Sequence, residues 1–349
     1  MKRVLIGEVS SYKAIVLCEF LIKNYNEIEL YTFDYRNYTK RIRTKYSKKH
    51  FIIEENNLDH LTELINNNAI NVFFPVSSDL IGVCIKNKEL FGRTIDYLGD
   101  FETFNKLNDK DLLMKLAQYI GVLTPKTFNC LNEVTFPCVL KPTISASSIG
   151  VEYLYNSDDL DKVLSTNLDG NYIIQEFVKG EGVGYSVYAK NGVIVKGFGH
   201  LRLGEYPISG GSSVYRKEYE NKEMRFCAEA ILKETKWTGF AMFEFKLSKD
   251  DKVYLIEVNP RLWGSLNQGL QNGVNYFESI LGETNNELKL KNRYTYIPPL
   301  IYLSILKYIF KLKFKTLITF LSNLNKNKSD ISLFNDFFGY MSTIIRKIL

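Results

Sequence analysis

Imidazole and thiol are scarce in this chain of 349 residues, which has three histidines, His50, His60 and His200, and five cysteines, Cys18, Cys84, Cys130, Cys138 and Cys227. The histidines are too few and too scattered for a zinc site, and no Ser-His-Asp pattern stands out. The cysteines form no CxxC pair and are odd in number, which argues against a disulfide framework and for a reducing, cytoplasmic compartment. Glycine-rich nucleotide signatures are missing too. The first strand runs into VLIGEVSSYK (4–13) with one glycine instead of GxGxxG, and GxxxxGK[ST] occurs nowhere, so neither a dinucleotide fingerprint nor a P-loop is present. The basic start MKR leads straight into a short strand, without the long apolar core of a signal peptide. The most apolar stretch, IPPLIYLSILKYIFKLKFKTLITFL (297–321), is interrupted by Lys307, Lys311, Lys313 and Lys315 and falls short of the roughly 20 uncharged residues of a spanning helix.

What remains is the composition of an ordinary globular protein, 45% hydrophobic and 24% charged, long enough for two or three domains. The net charge of +6 is unevenly spread: residues 36–50 hold seven Lys or Arg and no acid, and residues 300–349 hold eight cations against Asp330 and Asp336. The first segment reads as a solvated loop and face, with a phosphate-rich or acidic partner as the alternative. In the second, Lys307, Lys311 and Lys315 recur every four residues as one helical stripe beside an apolar face around Ile309, Phe310, Phe314 and Leu317. That face is expected to pack back on the body, and an anionic membrane surface is the alternative.

Residues 1–105 alternate strand-like runs (RVLIGEV, EIELYTF, NVFFPVS) with helix-like ones (SYKAIVLCEFLIKN, LDHLTELINNN, DLIGVCIKNKELF), a β-α-β rhythm that predicts a parallel, doubly wound unit. A capped helix follows in NDKDLLMKLAQYIGVLTPKTF (108–128), stopped by Gly121 and Pro125, and opens a new domain.

The chemistry-bearing residues come later. FAMFEFKL (240–247), a polar turn and VYLIEVN (253–259) read as a hairpin, with Glu244 on the alternate face from Phe243 and Phe245. Strand alternation predicts Val253, Leu255, Glu257 and Asn259 on one face and brings Glu244 beside Glu257, two carboxylates that repel unless a cation lies between them. Magnesium, which takes oxygen ligands, answers that need, although Glu and Asn at a strand end are also ordinary turn residues. Lys141 precedes TISASSIG, a loop able to turn backbone N–H groups and the hydroxyls of Ser145, Ser147 and Ser148 toward phosphate; an exposed Ser-rich hairpin is the other reading. In IIQEFVKGEG (173–182) the strand breaks at Glu176-Phe177-Val178, offering backbone groups to a purine edge, and Glu181 is placed to accept from ribose hydroxyls.

In this order, a helix-opening DK, strand-Lys-Pro with a small-residue loop, QEFVKGEG, a distal EF and EVNPR resemble the ATP-grasp superfamily, in its carboxylate-amine ligase and carbamoyl-phosphate synthase-like branch. The resemblance implies an α/β fold, α+β in its ATP-grasp part: a Rossmann-like domain over 1–105, a small lid subdomain over 106–178, a large subdomain over 179–288 and a basic helical extension over 289–349. It implies ATP with Mg²⁺ or Mn²⁺, and Lys110 and Lys141 as the two phosphate lysines. Glu176, Phe177 and Val178 match the adenine hinge, Glu181 the ribose carboxylate, and Glu244, Glu257 and Asn259 the metal ligands. Arg261 matches the arginine at the γ-phosphate and acyl phosphate, Arg202 is assigned to substrate anchoring, and ISGGSS (208–213) is taken as a closing loop. The implied activity joins a small carboxylate to an amine through an acyl phosphate, with release of ADP. Alternatives are a carboxylating or kinase-like enzyme that ends at a phosphorylated product, and a non-catalytic nucleotide-binding protein. Small molecules are the implied partners, with no nucleic acid, peripheral membrane contact through the extension as an option, and a homodimer left open.

Overall fold

A computed structural model describes residues 1–35, 44–55, 57–145, 148–166, 170–207, 211–285, 288, 293–298, 300–311, 314–331, 336–337 and 341. The first sheet is parallel, in the order β3-β2-β1-β4, formed by β1 (Lys2–Ile6), β2 (Ile28–Tyr35), β3 (Lys49–Ile53) and β4 (Val72–Phe74). Both of its faces are covered, so β1 and β4 read as unbroken apolar runs: Val4, Leu5, Ile6, Phe73 and Phe74 are all buried. The strand β3 corrects the reading of residues 36–50 as loop, because Lys49 and His50 already pair with Tyr31 and Thr32. Residues 36–43 lie outside the described residues.

The second sheet, β5-β8-β6-β7, contains β5 (Thr127–Phe128), β6 (Cys138–Pro142), β7 (Glu152–Leu154) and β8 (Tyr172–Glu176). Leu160, on the helix Ser157–Leu164, closes a small separate core with Phe128, Cys138, Leu140 and Leu154.

The third sheet has seven strands in the order β13-β12-β9-β10-β11-β14-β15. They are β9 (Gly180–Lys190), β10 (Val193–Tyr206), β11 (Ser212–Glu218), β12 (Gly239–Ser248), β13 (Val253–Asn259), β14 (Tyr294–Tyr296) and β15 (Asn327–Ser329). The β9–β10 hairpin turns on Asn191-Gly192, with φ of 49° and 79°, the left-handed pair that a right-twisted hairpin needs. One continuous core joins the first and third sheets: the Phe74 ring lies 6.3 Å from Phe240 and 5.6 Å from Phe277.

The expected basic stripe at the C-terminal end is two helices, Leu300–Phe310 and Lys315–Ser322, so Lys307 and Lys315 do not share one; Lys313 lies outside the described residues. Leu300, Ile301, Ile305 and Phe320 bury against Val214 and Tyr215 of β11, so the segment packs on the body. Both of its acids turn inward: Asp330 pairs with Arg216, and Asp336 accepts from the Thr44 hydroxyl and, at 3.2 Å, from the Lys45 N–H. Among the described residues no helix is long and apolar enough to cross a membrane.

Candidate functional site

The hairpin β12–β13 places Glu244 directly opposite Glu257, and Met242 opposite Asn259. One part of the sequence reading is corrected here. The register shifts between Glu244 and Phe245, which faces Leu255, so Ile256 is an extra, bulged residue. The bulge flips the alternation: Val253 and Leu255 stay with the Phe243–Phe245 core face, while Glu257 and Asn259 turn to the face of Glu244. It also frees the Ile256 carbonyl, which accepts a hydrogen bond from Lys141 Nζ at 3.2 Å.

Two facing carboxylates with most of their surface buried need positive charge, and four cations supply it. Arg202, on β10, pairs with Glu244 and lies 3.5 Å from Glu205. Lys110, at the first turn of the helix Lys110–Tyr119 behind its Asp109 cap, brings Nζ to 3.4 Å from Glu257 and donates to Ser145 Oγ at 3.2 Å. Lys141 on β6 stands behind the pair. Arg261 donates to Asn259 Oδ1 at 2.6 Å, to the Leu262 carbonyl at 3.0 Å and to Ser78 Oγ at 3.1 Å. The Asn259 amide nitrogen closes the ring, donating to Glu244 Oε1 at 3.2 Å and Glu257 Oε1 at 3.1 Å.

These neighbours push the two carboxyls apart. Burial raises Glu244 against the pull of Arg202, and its net shift is upward; burial also acts on Glu257, but Lys110, Lys141 and the Asn259 amide outweigh it and hold that carboxyl low. Burial brings Lys141 down to about 8, with Lys110 adding to the fall and Glu257 opposing it. His200 is pushed down to about 3 by burial and Arg202, so it stays neutral, and its Nε2 is buried without a partner among the described residues.

The donor set suits a hard cation. Two carboxylates and one amide oxygen, reached by a half-turn of the Asn259 amide that now bridges the carboxylates through nitrogen, are what magnesium takes when phosphate oxygens and water complete its shell. Among the described residues no group of three or more His, Cys, Asp or Glu is placed to hold a metal ion, so the softer metals have no candidate ligand set there.

The predicted site residues divide as follows. Lys110, Lys141, Ser145, Arg202, Glu244, Glu257, Asn259 and Arg261 come together. Ser147 lies outside the described residues, as do Ile208, Ser209 and Gly210 of the proposed closing loop; Ser148 sits with a left-handed φ of 60°. At Glu176-Phe177-Val178 the strand ends as expected, but Glu176 N–H is bonded to the Lys126 carbonyl at 2.9 Å and Phe177 N–H to the Pro137 carbonyl at 3.2 Å. Of these three N–H groups, only that of Val178 has no backbone partner among the described residues. Glu181 does not join the site. The register of β9 on β12 is unbroken, so Gly182 and Gly184 share the face of Lys246 and Glu244 while Glu181 faces the other way and pairs with Lys315 at 3.0 Å.

Three features were missed. Ser78 and Glu205 brace the two arginines. The alternating glycines leave room for them: a Cβ at Gly182 would stand 2.8 Å from Arg202 Cδ, and one at Gly184 2.5 Å from the His200 ring. Glycine at every second position of a strand was the available signal, since it marks a face over which bulky side chains must lie.

Residues 107–265 match the family model described as the ATP-grasp domain. A D-alanine--D-alanine ligase of Bacillus anthracis is 32% identical over 92 residues, 23% of this chain and 30% of that protein. A formate-dependent phosphoribosylglycinamide formyltransferase of Bacteroides thetaiotaomicron is 27% identical over 183 residues, 48% of this chain and 46% of that protein. The chain thus spans between about a third and a half of the length of these relatives. Among solved structures, a biotin carboxylase of Campylobacter jejuni superposes with a TM-score of 0.65 at 14% identity, covering 84% of this chain and 74% of its own. An L-amino acid ligase of Bacillus licheniformis does so with 0.61 at 16%, covering 83% and 75%; at such identities the likeness is one of fold. Residues 107–265 are thus identified as an ATP-grasp domain.

Proposed function

We propose that the chain is an ATP- and magnesium-dependent ligase that activates a small carboxylate as an acyl phosphate, releases ADP and passes the acyl group to an amine. The observation that carries this reading is the directly opposed pair Glu244 and Glu257, bridged by Asn259 and ringed by Lys110, Lys141, Arg202 and Arg261. Glu244, Glu257 and Asn259 would hold the metal, which when bound neutralises the phosphate tail and polarises the γ-phosphoryl group. Lys110, Lys141 and the Ser145 hydroxyl would hold phosphate oxygens, with Val178 offering its backbone to the purine. Arg261, fixed by Ser78 and Asn259, would stabilise the charge that builds on the transferred phosphoryl and on the tetrahedral centre formed by the amine. Arg202, held by Glu244 and Glu205, would orient the substrate carboxylate. As working boundaries we take 1–105, 106–178, 179–288 and 289–349. The five unpaired cysteines, four of them buried, favour a reducing compartment such as the cytoplasm.

ADP release scanned across carboxylates and amines, with the amide sought by mass spectrometry, tests the reading. ADP release that needs a carboxylate and never yields an amide replaces it with a phosphorylating enzyme.

Peripheral contact with an anionic membrane is supported by Leu306, Phe310 and Ile318, which are 53%, 86% and 62% exposed on a segment whose two acids are buried. Vesicle sedimentation with Phe310→Ser and Ile318→Ser tests it; truncation would not, since it strips Arg216 of Asp330.

A further inference from the structure

Every carboxylate oxygen of the facing pair already has a donor from the protein. Glu244 Oε2 accepts from Arg202, and Glu257 Oε2 lies 3.4 Å from Lys110 Nζ. The two Oε1 atoms share the Asn259 amide nitrogen, at 3.2 and 3.1 Å. A divalent ion held by Glu244, Glu257 and the Asn259 amide oxygen therefore has to take places that these donors fill. The half-turn that presents Asn259 Oδ1 to an ion also takes that atom from Arg261, which donates to it at 2.6 Å. Charge sharpens the competition. Lys110, Lys141, Arg202 and Arg261 already face Glu205, Glu244 and Glu257, so a bare divalent ion enters against a surplus of positive charge.

The donors are not equally free to leave. Lys110 stays near Glu257 with Ser145 Oγ at 3.2 Å, and Asn259 needs only to turn its own amide. Arg202 has the least complete set of bonds. One terminal nitrogen holds Glu244, the other lies 3.5 Å from Glu205, and its Nε is buried with no partner among the described residues. A carboxylate that engages Nε together with a terminal nitrogen, in the two-pronged manner guanidinium favours, would satisfy that third donor. Gly182 leaves space beside the stem, since a Cβ there would stand 2.8 Å from Arg202 Cδ.

We propose that Arg202 gates the metal site: it fills the Glu244 oxygen that an ion needs, and a substrate carboxylate that draws the guanidinium to itself releases that oxygen. The inference rests on the metal assignment of the ligase reading and adds a regulation to it. Glu205 keeps hold of the guanidinium while Glu244 lets go. One arginine cannot serve Glu244 and a substrate anion equally, so carboxylate and metal raise each other's affinity, a coupling that linkage makes reciprocal. ATP is then poised for transfer only where a carboxylate is present to receive the phosphoryl group.

Titration of the full chain with Mn²⁺ alone, read from the electron paramagnetic resonance of the free ion, tests the gate apart from turnover. Arg202→Gln should bind Mn²⁺ about tenfold more tightly than the wild type, and adding Glu257→Gln to it should abolish the gain. Lys141→Gln removes a neighbouring positive charge but vacates no carboxylate oxygen, so it should tighten binding less than about threefold. In the wild type, excess acetate should raise Mn²⁺ affinity even though acetate in solution competes for the ion; in Arg202→Gln that rise should vanish. Arg202→Gln binding no more tightly than Lys141→Gln overturns the gate. So does acetate that leaves wild-type affinity unchanged or lowered, a result that does not depend on how the variant folds. Mn²⁺ binding under the control of Arg202, with no ADP release from any carboxylate and amine pair, keeps the gate and sinks the ligase reading; amide formation by a chain whose Mn²⁺ affinity ignores Arg202 does the reverse.

Discussion

Two clusters of buried charge share one face of the seven-stranded sheet, and they are built on opposite terms. Arg202 and Arg216 are directly opposed on β10 and β11, so position hardly separates them. Around Arg202 charge is shared: Lys110, Lys141, Arg202 and Arg261 surround Glu244, Glu257 and Glu205, and the side chains of Glu244 and Glu257 keep 19% and 23% of their surface exposed. Arg216 instead meets a single carboxylate among the described residues, Asp330, both side chains 0% exposed; the guanidinium also donates to the Ser213 carbonyl and Asn267 donates to the carboxylate, while Arg216 Nε is buried with no partner among those residues. A one-to-one pair shut off from solvent fastens the C-terminal segment to the sheet. An open cluster with cations in surplus is unfinished until an anion arrives.

The largest effect expected from this contrast is on stability. Asp330→Ala leaves the Arg216 guanidinium buried and alone, and urea unfolding should show a loss of about 3–5 kcal/mol. The double variant Arg216→Met, Asp330→Leu should recover most of it, because two apolar side chains carry no desolvation cost. A single variant as stable as the wild type would make the pair an ornament.

At the open cluster the same operation should reverse its sign. Glu244→Gln removes the one of the two facing carboxylates whose charge burial disfavours, so the thermal midpoint should hold or rise while carboxylate-dependent ADP release falls about 100-fold or more. Wild-type turnover in that variant refutes the metal assignment.

The open cluster should also respond to pH. Lys141 binds phosphate only when protonated, and its pKa of about 8 places the loss of that charge just above neutrality. Nucleotide affinity of the free enzyme should therefore be full below pH 7 and fall through pH 8 to 9 as the lysine deprotonates. Lys141→Arg, which stays charged, should flatten that limb; a wild-type profile flat to pH 10 would show that Lys141 keeps its proton despite burial.

Much of the open cluster was legible because its residues sit in runs where local chemistry is conspicuous, a carboxylate between phenylalanines at Glu244 and E-x-N-P-R after an apolar strand. The parallel sheet was legible for the same reason, in the unbroken apolar runs of β1 and β4. What escaped depended on distance or on register. The bulge at Ile256 leaves no mark in VYLIEVN, because a single extra residue is specified by the partner strand. Nor does anything near Arg216 announce that Asp330, 114 residues later, will neutralise it. The strand β3 hid behind a basic run whose charges suggested solvent.

The smallest expected effect tests strand alternation itself. Glu181 was expected at the ribose because it follows the hinge, yet the unbroken pairing of β9 with β12 turns it to the face away from Glu244, where it meets Lys315 with both side chains more than half exposed. An exposed ion pair of this kind contributes at most about 1 kcal/mol, and salt screens it. Glu181→Gln should then change the KM for ATP less than about twofold and leave turnover intact, in contrast to Glu244→Gln on the neighbouring strand β12. A tenfold rise in the KM for ATP, with unchanged turnover at saturation, would mean that nucleotide binding reorders the start of β9, and that the face on which a residue lies does not decide membership of the site.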